Sequence, residues 1–290
     1  MKADQSVRLV ESKRAVDLSD ALDIVRLTDV GLLRSHNEDA VASDASIGFV
    51  MLADGMGGYQ AGEVASEIAV LTIAAELKEA IVMAASVEGA GDNRFKLSPS
   101  HIIEEAVSHA NDAIYRVSQE FAQCAGMGTT LVVGLFANNH FVVGHVGDSR
   151  AYRLRKHVLT QITEDHSLLQ EQINAGLLSK EQAKFSTYRN LVTRAVGIEP
   201  DVELEIHTHD VEVGDIYLLC SDGLTDLVDD EAIASVLNTP TFSLYDTARA
   251  LINLANEHGG KDNISVILAK VNASFDSKEA WFDSFLGWIK

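Results

Sequence analysis

TTLVVGLFA (129–137), HFVVGHVG (140–147) and RAYRLR (150–155) are three β-rich runs separated only by Asn138-Asn139 and Gly147-Asp148-Ser149. Such short polar turns predict antiparallel hairpins, because Asn and Gly readily take the backbone conformations that tight reversals need. Upstream, IVRLTDVG (24–31) alternates apolar and polar residues, as a half-buried strand does. IGFVMLADGMGG (47–58) and DIYLLCSDG (215–223) are apolar strands that stop at Asp-Gly, each delivering an aspartate to a loop. HVLTQI, within 156–162, and NISVILAKV (263–271) supply further strands. Helical spacing occupies 63–85, 101–122, 165–186 with a break at Ala175-Gly176, 230–238 and 243–258. Strand and helix do not alternate, so a parallel doubly wound sheet is not expected. Antiparallel sheets with helices packed outside them, an α+β class, fit the order.

The chain has 290 residues, 47% of them hydrophobic, and 43 acidic against 23 basic side chains set a formal net charge of −20. That balance argues against nucleic acid as the main partner, because phosphate backbones are met by basic stripes. It argues equally against docking on an anionic membrane. No apolar run approaches the ~18 residues of a membrane span, so no stable membrane insertion is expected. Residues 1–20 carry charges throughout and lack the apolar segment of a signal peptide, which predicts a cytoplasmic protein. Cys124 and Cys220 sit in apolar stretches without a CxxC partner and read as buried thiols in a reducing compartment. The expected organisation is a polar N-terminal extension (1–23), one catalytic domain (24–272) and a C-terminal amphipathic tail (273–290). In the tail, Trp281, Phe282, Phe285, Leu286, Trp288 and Ile289 would form an apolar stripe, for packing on the domain or docking to a partner protein.

Acidic residues recur beside strand ends: Asn37-Glu38-Asp39, Asp54-Gly55, Asp148, Ser221-Asp222-Gly223 with Asp226, and Asp262-Asn263. One aspartate in a turn usually caps backbone N–H groups. Five such places, at the ends of several strands, can converge on one sheet edge. Grouped carboxylates repel and are costly to bury without cations, so hard divalent ions such as Mg²⁺ or Mn²⁺ are the expected counter-charge. The histidines offer no HExxH or Cys–His cluster. The chain also lacks a GxxxxGK[ST] phosphate loop and a GxSxG nucleophile elbow.

RSHNEDA (34–40), ADGMGGYQAGEVAS (53–66), GMGTTLVV (126–133), VGHVGDSRAYRLR (143–155), TEDHSL (163–168), LCSDGLTDLV (219–228) and GGKDNISVIL (259–268) occur in the order seen in metal-dependent serine/threonine protein phosphatases. The sequence resembles this PPM family, the protein phosphatase 2C type, and looks most like its bacterial members over roughly residues 24–271. The resemblance implies a four-layer α-β-β-α sandwich of two antiparallel sheets flanked by helices. It implies hydrolysis of phosphoserine and phosphothreonine in proteins, opposing a serine/threonine kinase, with two Mn²⁺ or Mg²⁺ ions and room for a third. By the same resemblance Asp54 bridges the two ions and the Gly55 carbonyl faces the second. Asp222 and Asp262 ligate the first, and Glu38, with Asp39 as an additional candidate, holds waters on the second or binds it directly. Asp148, with Asp222, matches a third-ion position, with Asp226 a weaker candidate there, and Arg34 matches the residue that grips the substrate phosphate. Residues 168–190 match a variable flap beside the substrate.

One position departs from many eukaryotic relatives: Met56 stands where they carry a histidine thought to protonate the leaving group. Met cannot donate a proton, which leaves a water on a metal, or His36, for that role. Two alternatives stay open. One is a catalytically weak phosphoprotein-binding scaffold, which loss of metal aspartates would signal, yet Asp54, Asp222 and Asp262 are all present. The other is a phosphatase for small phosphoesters.

Overall fold

The structure is a computed structural model and describes residues 17–58, 60–87, 98–179, 182 and 191–275. The strands are β1 (Leu22–Asp29), β2 (Asp39–Asp44), β3 (Phe49–Met56), β4 (Gly128–Thr129), β5 (Leu131–Ala137) and β6 (His140–Val146). They continue with β7 (Arg150–Arg155), β8 (Val158–Gln161), β9 (Glu205–Asp210), β10 (Ile216–Cys220) and β11 (Ile264–Val271). The helices are α1 (Ala61–Val87), α2 (Pro99–Glu120), α3 (Leu168–Asn174), α4 (Asp222–Thr225), α5 (Asp230–Leu237) and α6 (Leu244–Glu257). One sheet has the order β1-β11-β10-β7-β8; the other runs β2-β3-β5-β6-β9, with β4 beside β3. The pairings within both are antiparallel.

Side-chain alternation along the central strands builds the layers. In β3, Val50 and Leu52 point between the sheets, whereas Phe49, Met51 and Ala53 point toward the helices. β11 does the same, with Ile267 and Ala269 between the sheets and Ile264, Val266 and Leu268 outward. The outer face of the β3 sheet is covered by α1 through Ala65, Ala69, Ile73 and Leu77, spaced every four residues, and by Ile103, Val107 and Ile114 of α2. Leu237, Ala248 and Leu251 of α5 and α6 cover the outer face of the other sheet. Side-chain oxygens cap these helices: Ser98 accepts from the His101 N–H, Asp229 from Ala232 and Ser243 from Asp246. The result is the expected four-layer α-β-β-α arrangement.

Only one of the two turns in the 129–155 stretch is a hairpin. Asn138 and Asn139 take φ of 50° and 56° and join β5 to β6. The Gly147-Asp148-Ser149 turn instead carries the chain from one sheet to the other, because β6 pairs with β5 and β9 while β7 pairs with β10 and β8. Turn chemistry signals a reversal but not which strand accepts the next one. That choice is made by β10, some sixty residues later, and by the Thr130–Ser149 hydroxyl contact of 2.7 Å.

Smaller differences have the same origin. β1 begins at Leu22, two residues before Ile24, and Leu18, Ala21 and Leu22 are buried. β2, of small half-buried residues, is a strand because β3 offers it an edge. The helical spacing of 165–186 yields α3, capped by Ser167 and followed by Gly176 at φ 69°. Residues 1–16 of the extension, 180, 181 and 183–190 of the flap, and 276–290 of the tail lie outside the described residues. Phe275 is buried against Phe136, with ring centroids 6.2 Å apart.

Candidate active site

The acidic residues are brought together by strand register and by glycines at points of close backbone approach. Asp39 and Asp54 are direct cross-strand partners in the β2–β3 ladder. Asp54 is pinned on both backbone sides: its N–H donates to the Thr130 hydroxyl at 3.2 Å, and its carbonyl accepts from the Thr130 N–H at 2.8 Å. The Gly55 N–H donates to the Glu38 carbonyl at 3.0 Å. A Cβ on Gly55 would lie 2.1 Å from the Gly62 carbonyl oxygen, so only glycine lets the end of β3 meet the start of α1. Asp222 opens α4 directly after Ser221, whose hydroxyl donates to Asp39 Oδ2 at 2.9 Å.

Asn263 ties the far end of the chain to this edge. Its side chain accepts from the Glu38 N–H at 2.8 Å and donates to the carbonyls of Val30 at 3.0 Å and His36 at 2.9 Å. The loop bearing Arg34 and Glu38 is thereby held against Asp262, and Arg34 Nη2 meets Asp262 Oδ2 at 2.6 Å. The guanidinium stays about half exposed, with 48% of the side-chain surface accessible. His36 is exposed.

Electrostatics shows what the cluster demands. Burial pushes the Asp54 carboxyl well above its usual range, and the charges of Asp39, Asp222, Asp148 and Asp262 push it further. Asp222 is raised in the same way by burial and then by Asp148, Asp226, Asp262 and Asp39. Burial raises Asp39 to about 6 despite hydrogen bonds from Ser265 and Ser221. Asp148 also rises to about 6, from burial and then the charge of Asp165. Glu38 is raised by burial, with Arg34 opposing. Asp39 Oδ1 is buried and without a hydrogen-bond partner. A set of all-oxygen donors, mutually repelling and with an unpartnered oxygen, suits a hard divalent cation.

The structure thus gathers Glu38, Asp54, Gly55, Asp148, Asp222 and Asp262 at one edge of the sandwich, with Arg34 at its rim. Two contributors are underrated by sequence reasoning. Asp39, there only a secondary candidate beside Glu38, is a buried partner of Asp54, which strand register alone signals. Asn263 is the clamp of the Arg34 loop, for which a polar residue beside Asp262 is the sole sequence trace.

This fold and donor set define a metal-dependent phosphoester hydrolase built on a two-sheet sandwich. The pattern of the family described as protein phosphatase 2C matches residues 34–258. The serine/threonine phosphatase stp of Listeria monocytogenes is 36% identical over 258 residues, covering 87% of this chain and 97% of that protein. Stp1 of Staphylococcus aureus superposes with a TM-score of 0.76 at 32% identity, over 90% of this chain and 99% of that one. The catalytic domain of the serine/threonine protein phosphatase PstP, solved in complex with 2 manganese ions, superposes at 0.75 with 36% identity, over 87% and 99% of the two chains. The chain belongs to the protein phosphatase 2C family.

Proposed function

We infer that the chain is a metal-dependent protein phosphatase that hydrolyses phosphoserine and phosphothreonine in protein substrates. The observation that carries this is the convergence of Asp54, Asp148 and Asp222 with the partly exposed Asp262 in one repelling cluster beside an accessible arginine. Family membership and the manganese-bound relative support it.

Asp54 would bridge two Mn²⁺ or Mg²⁺ ions, with the Gly55 carbonyl and Glu38 serving one and Asp222 and Asp262 the other. Asp148 would hold a third. Bound ions of this kind acidify a coordinated water and offset the charge of an approaching phosphate. The protein's part is to place these donors: Thr130 and Asn263 fix the backbones of Asp54 and Glu38, and Ser221 holds the neighbouring Asp39 carboxylate. Arg34 reaches from the rim, where its fork can take two phosphate oxygens and orient the phosphorus for in-line attack. Met56 holds no proton to give. Cytoplasmic placement, a partner serine/threonine kinase and docking through the C-terminal tail complete the reading; among the described residues no helix is long and apolar enough to cross a membrane.

The test is hydrolysis of p-nitrophenyl phosphate and of phosphoserine and phosphothreonine peptides, with and without added Mn²⁺ or Mg²⁺ and with EDTA. Activity on each should require the metal and vanish with the chelator. Full activity in a preparation shown metal-free by elemental analysis removes the reading. Turnover of the small ester alone favours the small-phosphoester alternative.

A further inference from the structure

We propose that His166 is a positioning residue that locks the Asp148 turn to the neck of the flap, and that Glu205 holds it in the one tautomer able to do so. His166 and Gly147 grip each other at two points. The His166 N–H donates to the Gly147 carbonyl at 2.8 Å, and the Gly147 N–H donates to His166 Nδ1 at 3.2 Å. Gly147 has φ +104°, and a Cβ there would lie 2.7 Å from Thr130 Cβ, so the turn before Asp148 is left-handed and unyielding.

A ring nitrogen that accepts an N–H carries a lone pair, so the ring proton must sit on Nε2. His166 is buried, and its Nε2–H needs an acceptor; Glu205 Oε2 lies 3.2 Å away. The other Glu205 oxygen meets His207 Nε2 at 2.6 Å, which fixes the carboxylate. His145 stacks on the His166 ring, centroids 4.6 Å apart and planes 22° from parallel, and is itself anchored by Nε2 on the Glu164 carbonyl at 2.7 Å. Donor atoms of His145, His166 and Glu205 lie within 4.8 Å of one another. Nearly parallel rings aim their in-plane lone pairs side by side instead of at one point, so the cluster serves orientation and not a shared ion.

On its other side His166 organises the flap neck. Its carbonyl accepts from the Thr193 N–H at 2.8 Å, Ser167 bridges to Val192, and the Leu168 N–H donates to the Leu191 carbonyl at 2.9 Å. Arg150 adds a two-pronged ion pair to Asp165, with Nη2 to Oδ2 at 2.6 Å. One residue therefore sets the spacing between Asp148 and both chains that enter the flap. Its effect on turnover rests on Asp148 being a cation ligand.

The test combines histidine-ring proton–nitrogen correlation spectra with amide hydrogen exchange. Wild-type protein should show His166 protonated on Nε2, and Glu205→Gln, whose amide oxygen still accepts, should keep that state. Glu205→Leu should speed exchange at Gly147 and Thr193 together by roughly five- to tenfold, the scale of a lost buried hydrogen bond. It should also raise the Mn²⁺ concentration needed for half-maximal turnover, as Asp148→Ala is expected to do. Wild-type His166 protonated on Nδ1 overturns the proposal, even if the leucine variant does not fold. So does unchanged Gly147 exchange in a folded Glu205→Leu protein. Faster exchange alongside an Asp148→Ala variant with normal Mn²⁺ demand supports the clamp and removes only the ion at Asp148.

Discussion

Arg34 Nη2 lies 2.6 Å from Asp262 Oδ2, across 228 residues of sequence. The proposed phosphate grip and a proposed metal ligand thus share a contact. Asp262 is oriented from its other oxygen as well, since Oδ1 accepts from the Asn263 N–H at 2.8 Å. A carboxylate has enough lone pairs to serve an arginine and a cation together. Sequence spacing left a surface salt bridge as the rival role for Arg34. The salt bridge is made to a residue of the site itself and leaves the Arg34 side chain about half exposed, so the pairing does not by itself withdraw the guanidinium from solvent.

Arg34→Ala is expected to raise KM for phosphopeptides by roughly ten- to a hundredfold, the cost of a bidentate charge-assisted contact. Metal affinity should change only a few-fold, because a half-exposed ion pair is worth about 0–1 kcal/mol. Steady-state kinetics and metal titration check both. If KM and kcat are both untouched, Arg34 is a salt-bridge residue only.

Asp54→Asn should lower turnover by at least ~10³-fold, since a bridging ligand sets both cation positions. Calorimetric titration with Mn²⁺ should show weakened binding. Unchanged binding with near-normal rates would contradict the bridging role.

Metal-stripped protein should grow more stable as the pH is lowered from 7 toward 5. Burial raises the Asp39 and Asp148 carboxyls from the ordinary 3.8 to about 6, so folding favours their protonated forms. Their contribution to stability is fully present below 3.8 and is lost as pH rises through about 6, at about 1.4 kcal/mol per pKa unit for each group. Mn²⁺ should reverse the trend, stabilising most at pH 7, where protons compete least. Thermal melts with EDTA and with Mn²⁺ measure this; a stripped protein whose melting temperature falls steadily between pH 7 and 5 would rule it out.

Asn263→Ala removes three side-chain hydrogen bonds that hold the loop of Val30, His36 and Glu38. The expected destabilisation is about 2–4 kcal/mol, with a matching loss of phosphate affinity as Arg34 loosens. Denaturant unfolding reads the first and KM the second. A loss below about 0.5 kcal/mol would mean that the Arg34–Asp262 pair and the Leu32 and Leu33 N–H bonds to the Gly260 carbonyl hold the loop without it.

The amino-acid sequence by itself determined the element types and the family. Apolar alternation in β1, the continuous apolar runs of β3 and β11, the Asp-Gly stops after Leu52-Ala53 and Cys220-Ser221, and the four-residue spacing of Ala65, Ala69, Ile73 and Leu77 are local signals that need no partner. The acidic turns were legible as a group because carboxylates at many strand ends are costly unless they serve a cation. Only the tertiary structure decided how those turns meet. Gly147-Asp148-Ser149 crosses between sheets because β10 pairs with β7 and Thr130 holds Ser149, and Asp39 turns inward because its register opposes Asp54. Arg34 found Asp262 and not Glu38, four residues away, because Asn263 brings the two loops together. Such choices depend on residues distant in the chain, and sequence patterns of period two or four carry no information about which distant partner a turn will find.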